Sequence, residues 1–281
     1  MKINKYLCLI YSALIYTNTV NAVELCGNLN QGGLVFGKTL AGDKVYLNDN
    51  EINVDENGLF LLAFDRDEKN KQKLSIINSD NLVKNFEFSI NPTEWNIQSI
   101  TGVPPRKVTP SDSDLLAIEK ENKLLKQALK TLNNEIFWHQ SFINPVKGRI
   151  SGEFGGQRIM NKIPKSPHKG MDIAAKEGTP IKASGSGNVV LAYPDLFYSG
   201  NVVVIDHGFG LQTIYAHLKE MNVKLGDKVN QGDIIGLVGK TGRATGPHLH
   251  FGVSLRNMRF NPTSLLNMNS NLQKCFTLSS K

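Results

Sequence analysis

Short apolar runs separated by turn residues dominate two regions of the chain. In the first region, runs such as LFLLAF and FEFSI alternate with Asn, Asp and Gly clusters such as Glu56-Asn57-Gly58. This alternation is typical of antiparallel strands joined by tight turns. We therefore predict a small β-sandwich-like domain over residues 24–102.

The second region, residues 144–266, is richer in glycine and contains strand-like runs such as NVVVIDHG, LQTIYAHL and HLHFGVSL. None of these runs continues with the period of a helix. The pattern predicts a compact antiparallel β-domain over residues 144–266, followed by a tail over residues 267–281. The fold class is therefore expected to be mainly β.

A connector and a helical pattern lie between the two predicted β-domains, within residues 103–143. Apolar residues from Leu115 to Ile136 recur at alternating spacings of three and four, with Asn122 inside the stripe. This spacing predicts an amphipathic helix over residues 113–139. Two interpretations stay open: the helix packs on its own chain, or it mediates weak self-association with Asn122 fixing the register.

Residues 1–22 have the pattern of a cleavable secretory signal peptide. Lys2 and Lys5 precede an apolar stretch from Leu7 to Tyr16, and small or polar residues lead to Ala22. Because so short an apolar stretch spans a bilayer poorly, cleavage after Ala22 is favoured over an uncleaved anchor. We expect secretion across the inner membrane into the periplasm, with no transmembrane span in the mature chain.

The net charge and the cysteine count limit the kinds of partner and metal site to be expected. The formal charge of +7 is spread along the chain, which favours anionic surroundings, and no nucleic-acid partner is expected. Three cysteines are too few for a Cys-rich zinc module, so a metal site would have to use histidine and carboxylate. After cleavage Cys26 and Cys275 remain, either as a disulfide bond or as two thiols.

Five of the six histidines lie within residues 144–266. In the segment GPHLHF, strand alternation places His248 and His250 on one face, with the two imidazoles about 6.6 Å apart. One imidazole could then bind a metal ion while the other reaches a metal-bound water. His168 and Asp172 in HKGMD add a nitrogen and a carboxylate oxygen to His250. This donor set suits Zn²⁺ and leaves a fourth position open, as in catalytic sites.

The segments SGEFGGQR, HKGMD, YAHL and GPHLHF, in this order, resemble the lysostaphin-type (LytM-like, duplicated hybrid motif) zinc metallopeptidases over residues 144–266. The resemblance implies that His168, Asp172 and His250 are the zinc ligands. It implies that His248 is the general base and that His217 orients the water or stabilises the oxyanion. The division of proton transfer between His217 and His248 stays open.

Roles can also be predicted for three residues outside the expected ligand set. Arg158 of FGGQR either faces the substrate or pins its loop, and the second role is favoured. His207 is expected to be structural, and His139 is expected at the surface near the end of the helix.

The resemblance implies an exported zinc metalloendopeptidase that hydrolyses peptide cross-links or stem peptides of bacterial peptidoglycan. Because some relatives lack ligands, the alternative is a catalytically inert wall-associated activator or scaffold of other hydrolases. A third interpretation rests on VKLGDKVNQGDIIGLVG, which resembles the hairpin of biotinyl and lipoyl carriers. The segment lacks their arrangement of a Met-flanked lysine at the hairpin tip, and export also argues against a carrier.

Overall fold

The computed structural model describes residues 23–268. These form two compact units, one built from residues 23–93 with residues 267–268 and the other from Glu94–Leu266. The predicted signal segment and Cys275 lie outside the described residues, so cleavage and the Cys26–Cys275 bond stay predictions. Within residues 23–268, no helix is both long and apolar enough to cross a membrane.

The first unit consists of short β-strands in two antiparallel sheets. The strands are β1 (Glu24–Gly27), β2 (Leu34–Lys38), β3 (Lys44–Leu47), β4 (Asn50–Ile52), β5 (Leu59–Ala63), β6 (Lys71–Ile77) and β7 (Val83–Ser89). The strand orders of the two sheets are β1-β2-β5 and β4-β3-β6-β7. Val35 and Phe60 of one sheet and Val45 and Leu74 of the other are fully buried in a single apolar cluster. Two sheets that share one core form the predicted sandwich-like arrangement.

The second unit is built on one large β-sheet. Its elements are β8 (Ile97–Ile100), α1 (Pro105–Val108), α2 (Asp112–Ala128), β9 (Arg149–Gly152), β10 (Gln157–Met160), β11 (Ile163–Pro164), β12 (Met171–Ala174), β13 (Pro180–Lys182), β14 (Gly187–Leu196), β15 (Gly200–Asp206), β16 (Leu211–Met221), β17 (Lys228–Val229), β18 (Ile234–Val238), β19 (His248–Leu255), β20 (Met258–Phe260) and α3 (Pro262–Leu266). The main path of the sheet runs β17-β14-β15-β16-β19-β12-β9, with antiparallel neighbours. This arrangement confirms the mainly β prediction.

Strand β8 lies at the start of the second unit. The predicted small β-domain extends to residue 102, but β8 pairs in parallel with β10, and residues from Glu94 onward group with the second unit. Trp95 also packs edge-to-face on Phe154, with the ring centroids 5.7 Å apart. Long-range pairing of this kind leaves no local mark in the sequence.

Helix α2 begins at a capping box. The Ser111 hydroxyl accepts a hydrogen bond from the Asp114 amide at 3.3 Å, and the Asp114 carboxylate accepts one from the Ser111 amide at 3.1 Å. These two bonds satisfy amides that have no partner within the helix. The Ser-x-x-Asp spacing therefore explains where the helix starts.

The predicted helix end at residue 139 is wrong, because α2 ends at Ala128. The chain after it bonds to the β-domain: Gln212 donates to the Thr131 carbonyl at 3.0 Å, and the Phe209 amide donates to the Asn133 carbonyl at 2.8 Å. His139 therefore lies in a turn and not near a helix end, although it is exposed as predicted.

The C-terminal part of the apolar stripe packs on its own chain. Ala128 and Leu129 are buried in one cluster with Leu191, Val204 and Ile214 of the sheet. Of the two interpretations of the stripe, the structure shows intramolecular packing.

Candidate metal centre

Two adjacent strands supply the centre of the site. Asp172 on β12 and His250 on β19 are direct cross-strand partners, so their side chains share one face of the sheet. His248 lies on the same face, whereas Leu249 and Phe251 are fully buried on the opposite one. The alternation predicted for GPHLHF therefore appears in the structure.

His168 approaches this pair from the loop before β12. Its amide donates to the Gly156 carbonyl and its carbonyl accepts from the Gly155 amide, both at 2.9 Å, so the loop is fixed by its backbone. The imidazole Nδ1 lies 2.9 Å from the Glu153 carbonyl. Because a carbonyl only accepts, Nδ1 must carry the proton, and Nε2 presents its lone pair to the centre.

Three ligand atoms converge at the centre. His168 Nε2 lies 3.0 Å from His250 Nδ1 and 3.1 Å from Asp172 Oδ1, and His250 Nδ1 lies 2.9 Å from the same oxygen. Because His168 is protonated on Nδ1, the only proton available among these three atoms is one on His250 Nδ1. Once that proton is lost, all three atoms present lone pairs to one point, an arrangement that a bound cation stabilises.

The donor set also fits a tetrahedral metal ion. Metal–nitrogen and metal–oxygen distances of ~2.0–2.1 Å place neighbouring ligand atoms about 3.3 Å apart, close to the separations at this centre. Two imidazoles and one carboxylate, with no fourth protein ligand in the described cluster, form the donor set of a catalytic rather than a structural site. These residues could therefore hold one metal ion and leave a coordination position open.

Hydrogen bonds from Arg158 hold Asp172 in position. Arg158 Nη2 lies 2.5 Å from Asp172 Oδ2, and Arg158 Nε lies 3.4 Å from the Gln98 amide oxygen. Burial raises the pKa of the Asp172 carboxyl, but the close contacts with the His168 and His250 imidazoles outweigh burial, and the pKa lies well below its ordinary value. Asp172 is therefore an anion at neutral pH, with Oδ1 directed at the two imidazoles.

His217 reaches the centre through a β-bulge. Two cross-strand pairs, Val203–Tyr215 and Asn201–Leu218, bound the bulge. Between them β15 has a single residue, whereas β16 has two, and His217 is the second of these. His217 has φ of 65°, a left-handed conformation that a residue with a side chain adopts at a cost. Its amide donates to the Ser199 carbonyl at 2.8 Å, which holds the bulge in place.

The bulge turns the His217 side chain toward the site. Ala216, and not His217, is the cross-strand partner of His250, so regular alternation would direct His217 to the other face. Instead the His217 ring lies 4.8 Å from the His248 ring and 5.9 Å from the His250 ring between centroids. Bulges beside active sites redirect side chains in this way.

His217 and His248 both present a lone pair at Nε2. His217 Nδ1 lies 2.8 Å from the Thr241 carbonyl, and His248 Nδ1 lies 2.8 Å from the Gly246 carbonyl, so both Nδ1 atoms are donors. Burial, with smaller contributions from His248 and His250, lowers the pKa of His217 to about 3. His217 is thus neutral at neutral pH and can accept a hydrogen bond or a proton at Nε2.

The remaining predicted residues lie as follows. Arg158 touches Asp172, so it positions a candidate ligand rather than only its own loop. His207 is fully buried, away from the centre, between the Ser186 carbonyl at 2.7 Å and the Thr213 hydroxyl at 2.8 Å. Burial lowers the pKa of His207 to about 4, so it stays neutral in the core.

Several residues that shape the site are missing from the sequence-based prediction. Gln98 bonds to Arg158, sixty positions later in the chain. Gly170 and Gly152 leave room for the site: a Cβ atom would lie 2.7 Å from His250 Nε2 at residue 170 and 2.7 Å from Asp172 Oδ2 at residue 152. The glycines within the motifs SGEFGG and HKGMD could have indicated positions where side chains do not fit. No local sequence pattern indicates a role for Gln98.

Comparisons with known proteins agree with this geometry. Residues 166–262 match the family model described as Peptidase family M23. The chain is 45% identical over 118 residues to the peptidoglycan DD-endopeptidase ShyA of Vibrio cholerae, covering 41% of this chain and 27% of that protein. It is 43% identical over 120 residues to the DD-carboxypeptidase/endopeptidase Mpg of Neisseria meningitidis, covering 43% of this chain and 27% of that protein.

The matched region therefore spans only about a quarter of the length of these curated relatives. A crystal structure of a Pseudomonas aeruginosa protein assigned to peptidase M23 resembles a longer part of the chain. It has a TM-score of 0.64 and 27% identity, and the match covers 84% of this chain and 94% of that one.

Proposed function

Because residues 166–262 form a peptidase family M23 domain, we propose that the chain is a zinc metalloendopeptidase that hydrolyses peptide cross-links or stem peptides of bacterial peptidoglycan. The observation that carries the proposal is the convergence of His168, Asp172 and His250 on one point. The His217 and His248 rings lie beside that point, and each keeps a lone pair on Nε2 because its Nδ1 donates to a backbone carbonyl.

Zinc is the proposed ion because the donor set mixes imidazole with a single carboxylate. When bound, the ion supplies Lewis acidity to the scissile carbonyl and lowers the pKa of a water at the open position. The chain holds the ligands in place before the ion binds: Glu153 fixes the tautomer of His168, and Arg158 fixes the orientation of Asp172.

His248 is the proposed general base. Its Nε2 lies 3.7 Å from Asp172 Oδ1, close to the ligand atoms, and Nδ1 is already committed to the Gly246 carbonyl. Proton uptake at Nε2 leaves both ring nitrogens as donors, and His248 can then return that proton to the leaving amine. His217, neutral and held by its bulge, accepts a hydrogen bond at Nε2 and so orients the attacking water.

The proposed substrate follows from the relatives that share the domain. ShyA is named a peptidoglycan DD-endopeptidase and Mpg a DD-carboxypeptidase/endopeptidase, and the matched residues of this chain are 45% and 43% identical to them. We propose that residues 1–22 direct the chain to the periplasm, where this substrate lies. Detection of mature protein beginning after Ala22 in a periplasmic fraction tests the location.

Self-association through α2 is a weaker proposal, since Ala128 and Leu129 pack inside the chain. Leu115 and Leu116 remain 50% and 65% exposed and are the surface available to a second copy. Sedimentation velocity of the wild type and the Leu115→Ser variant tests this proposal. An oligomeric wild type and a monomeric variant would support contact through this surface, and a monomeric wild type would reject it.

The test of the function uses defined cross-linked muropeptides and mass spectrometry of the fragments. Zinc-loaded wild type should cleave them, and His248→Gln should retain zinc while kcat falls by about 10²-fold or more, the usual contribution of a general base. His139→Gln, an exposed histidine outside the site, is the matched control and should behave as wild type. Zinc retention without cleavage by the wild type would refute the peptidase and favour the inert scaffold.

A further inference from the structure

A cavity of about 640 Å³ opens beside the metal centre, with His168, His217 and His250 in its wall. Its lining holds six basic side chains and no aspartate or glutamate. Asp172, the carboxylate of the centre, lines the neighbouring cavity. The basic residues of the larger cavity are Lys126, Arg158, Lys165, Lys169, Arg243 and Arg259.

Arg259 lies beside β19, the strand that carries His250. Its strand β20 pairs with β19, and Arg259 Nη1 lies 2.9 Å from the position that a Cβ atom would occupy on Gly252. Gly252 is on the same face of β19 as His250, so the missing side chain leaves room for the guanidinium there. Burial alone lowers the pKa of Arg259, to about 10, with no acidic group offsetting it.

Arg243 approaches from another part of the cavity wall. Its guanidinium lies over the ring of Tyr198, 4.2 Å from the centroid, which fixes its position. Burial lowers the pKa of Arg243, and the nearby charge of Arg158 lowers it further. Within residues 23–268, neither Arg243 nor Arg259 forms an ion pair with a carboxylate.

Charge balance indicates what the cavity binds. Arg158 is neutralised by Asp172, whereas two half-buried guanidiniums beside a cation site have no counterion from the chain. Unpaired buried charge is costly, and guanidinium pairs strongly and with defined geometry to carboxylate. An anionic ligand would satisfy both groups.

We propose that this cavity binds a free carboxylate of the peptide substrate through Arg243 and Arg259. The choice of a peptide rests on the proposed function, while the preference for a carboxylate rests on the cavity itself. The site then selects stem peptides whose carboxylates are free over those in which they are amidated.

Binding to the metal-free protein tests the carboxylate preference separately from catalysis. The probes are a cross-linked stem-peptide dimer with free carboxylates and the same dimer with these groups converted to carboxamides. By calorimetry, wild type should bind the acid at least about 10-fold more tightly, the effect of one charge-assisted hydrogen bond. Arg259→Met and Arg243→Met should each reduce that ratio toward one.

Two further variants make the outcome specific. Arg259→Lys keeps the charge and should keep part of the preference. Arg149→Met alters an exposed arginine that does not line the cavity and should keep the wild-type ratio. Arg259→Gln replaces Arg259→Met if the latter does not fold, as judged by circular dichroism.

The outcomes separate the two proposals. Equal affinity of wild type for the acid and the amide, or an unchanged ratio in both arginine variants, overturns the carboxylate site. Failure of the zinc-loaded wild type to cleave either dimer overturns the proposed function, whatever the affinity ratio.

Discussion

Gly170 is the residue that allows the His250 imidazole its position. A Cβ atom at residue 170 would lie 2.7 Å from both Cε1 and Nε2 of that ring, well inside contact distance. We predict that Gly170→Ala displaces His250 and weakens zinc binding about 10- to 100-fold, as other changes behind metal ligands do. Competition with a zinc-chelating dye measures the affinity.

Gly246→Ala is the matched control for Gly170→Ala. No atom lies within 4 Å of a Cβ placed there, and Gly246, like Gly170, lacks a positive φ. The control should bind zinc as wild type does. If both variants bound zinc equally well, the contact between residue 170 and His250 would not support the site.

Single residues also show how far the sequence predicts this site. The five histidine and aspartate positions come from motif identity, and the same-face placement of His248 and His250 follows from strand periodicity. The left-handed His217 does not, because its bulge depends on pairing with β15. Gln98 and the carbonyl partners of the histidines were unpredictable for the same reason: each contact is fixed by the folded chain and not by its neighbours in sequence.

At the scale of elements, α2 is held to the second unit by its C-terminal end. Leu129, directly after the helix, is 3% exposed in a cluster with Leu191 and Val204. Leu129→Ala should lower the free energy of unfolding by about 2–4 kcal/mol, through lost burial and the cavity that remains. Urea denaturation followed by circular dichroism measures the change.

Leu116→Ala is the control for Leu129→Ala, since Leu116 lies within α2 and is 65% exposed. Its effect should stay within about 0.5 kcal/mol. Equal effects of the two substitutions would contradict the packing of α2 on the sheet.

The elements also show why local pattern located the helix better than it located its end. The Ser111 cap and the apolar spacing mark its start and its buried face. The spacing continues past Ala128 to Ile136, but carbonyls such as that of Thr131 bond to the sheet instead. Strand β8 groups with the second unit and not with the predicted small β-domain, because its partner β10 is remote in sequence.

For the whole molecule, Asp206 makes stability depend on pH. Asp206 is fully buried, and its Oδ2 has no hydrogen-bond partner in the described structure. Burial raises its pKa from 3.8 to about 7, against a weaker opposing bond from the Gly208 amide. The folded state therefore holds a proton that the unfolded chain releases, and stability falls as the pH rises from about 4 to 7.

Asp206→Asn removes the carboxyl group whose deprotonation destabilises the folded state. The quantity to compare is the free energy of unfolding of the variant minus that of the wild type. This difference should be about 4 kcal/mol larger at pH 8 than at pH 4, at ~1.4 kcal/mol per unit of pKa difference. His207 acts in the opposite direction, since its lowered pKa costs stability as the pH falls below its ordinary value of 6.5. Both proteins contain His207, so its contribution cancels in denaturation curves of the pair. A difference independent of pH would show that Asp206 is charged throughout.

The central claim about the molecule is that His168, Asp172 and His250 bind one metal ion together. Zinc content by mass spectrometry after dialysis, with affinity by competition, tests it most directly. Wild type and His139→Ala should retain one equivalent, whereas His168→Ala, Asp172→Ala and His250→Ala should each lose affinity by about 100-fold or more. Wild-type zinc affinity in any of these three variants would contradict the assignment of that residue as a ligand.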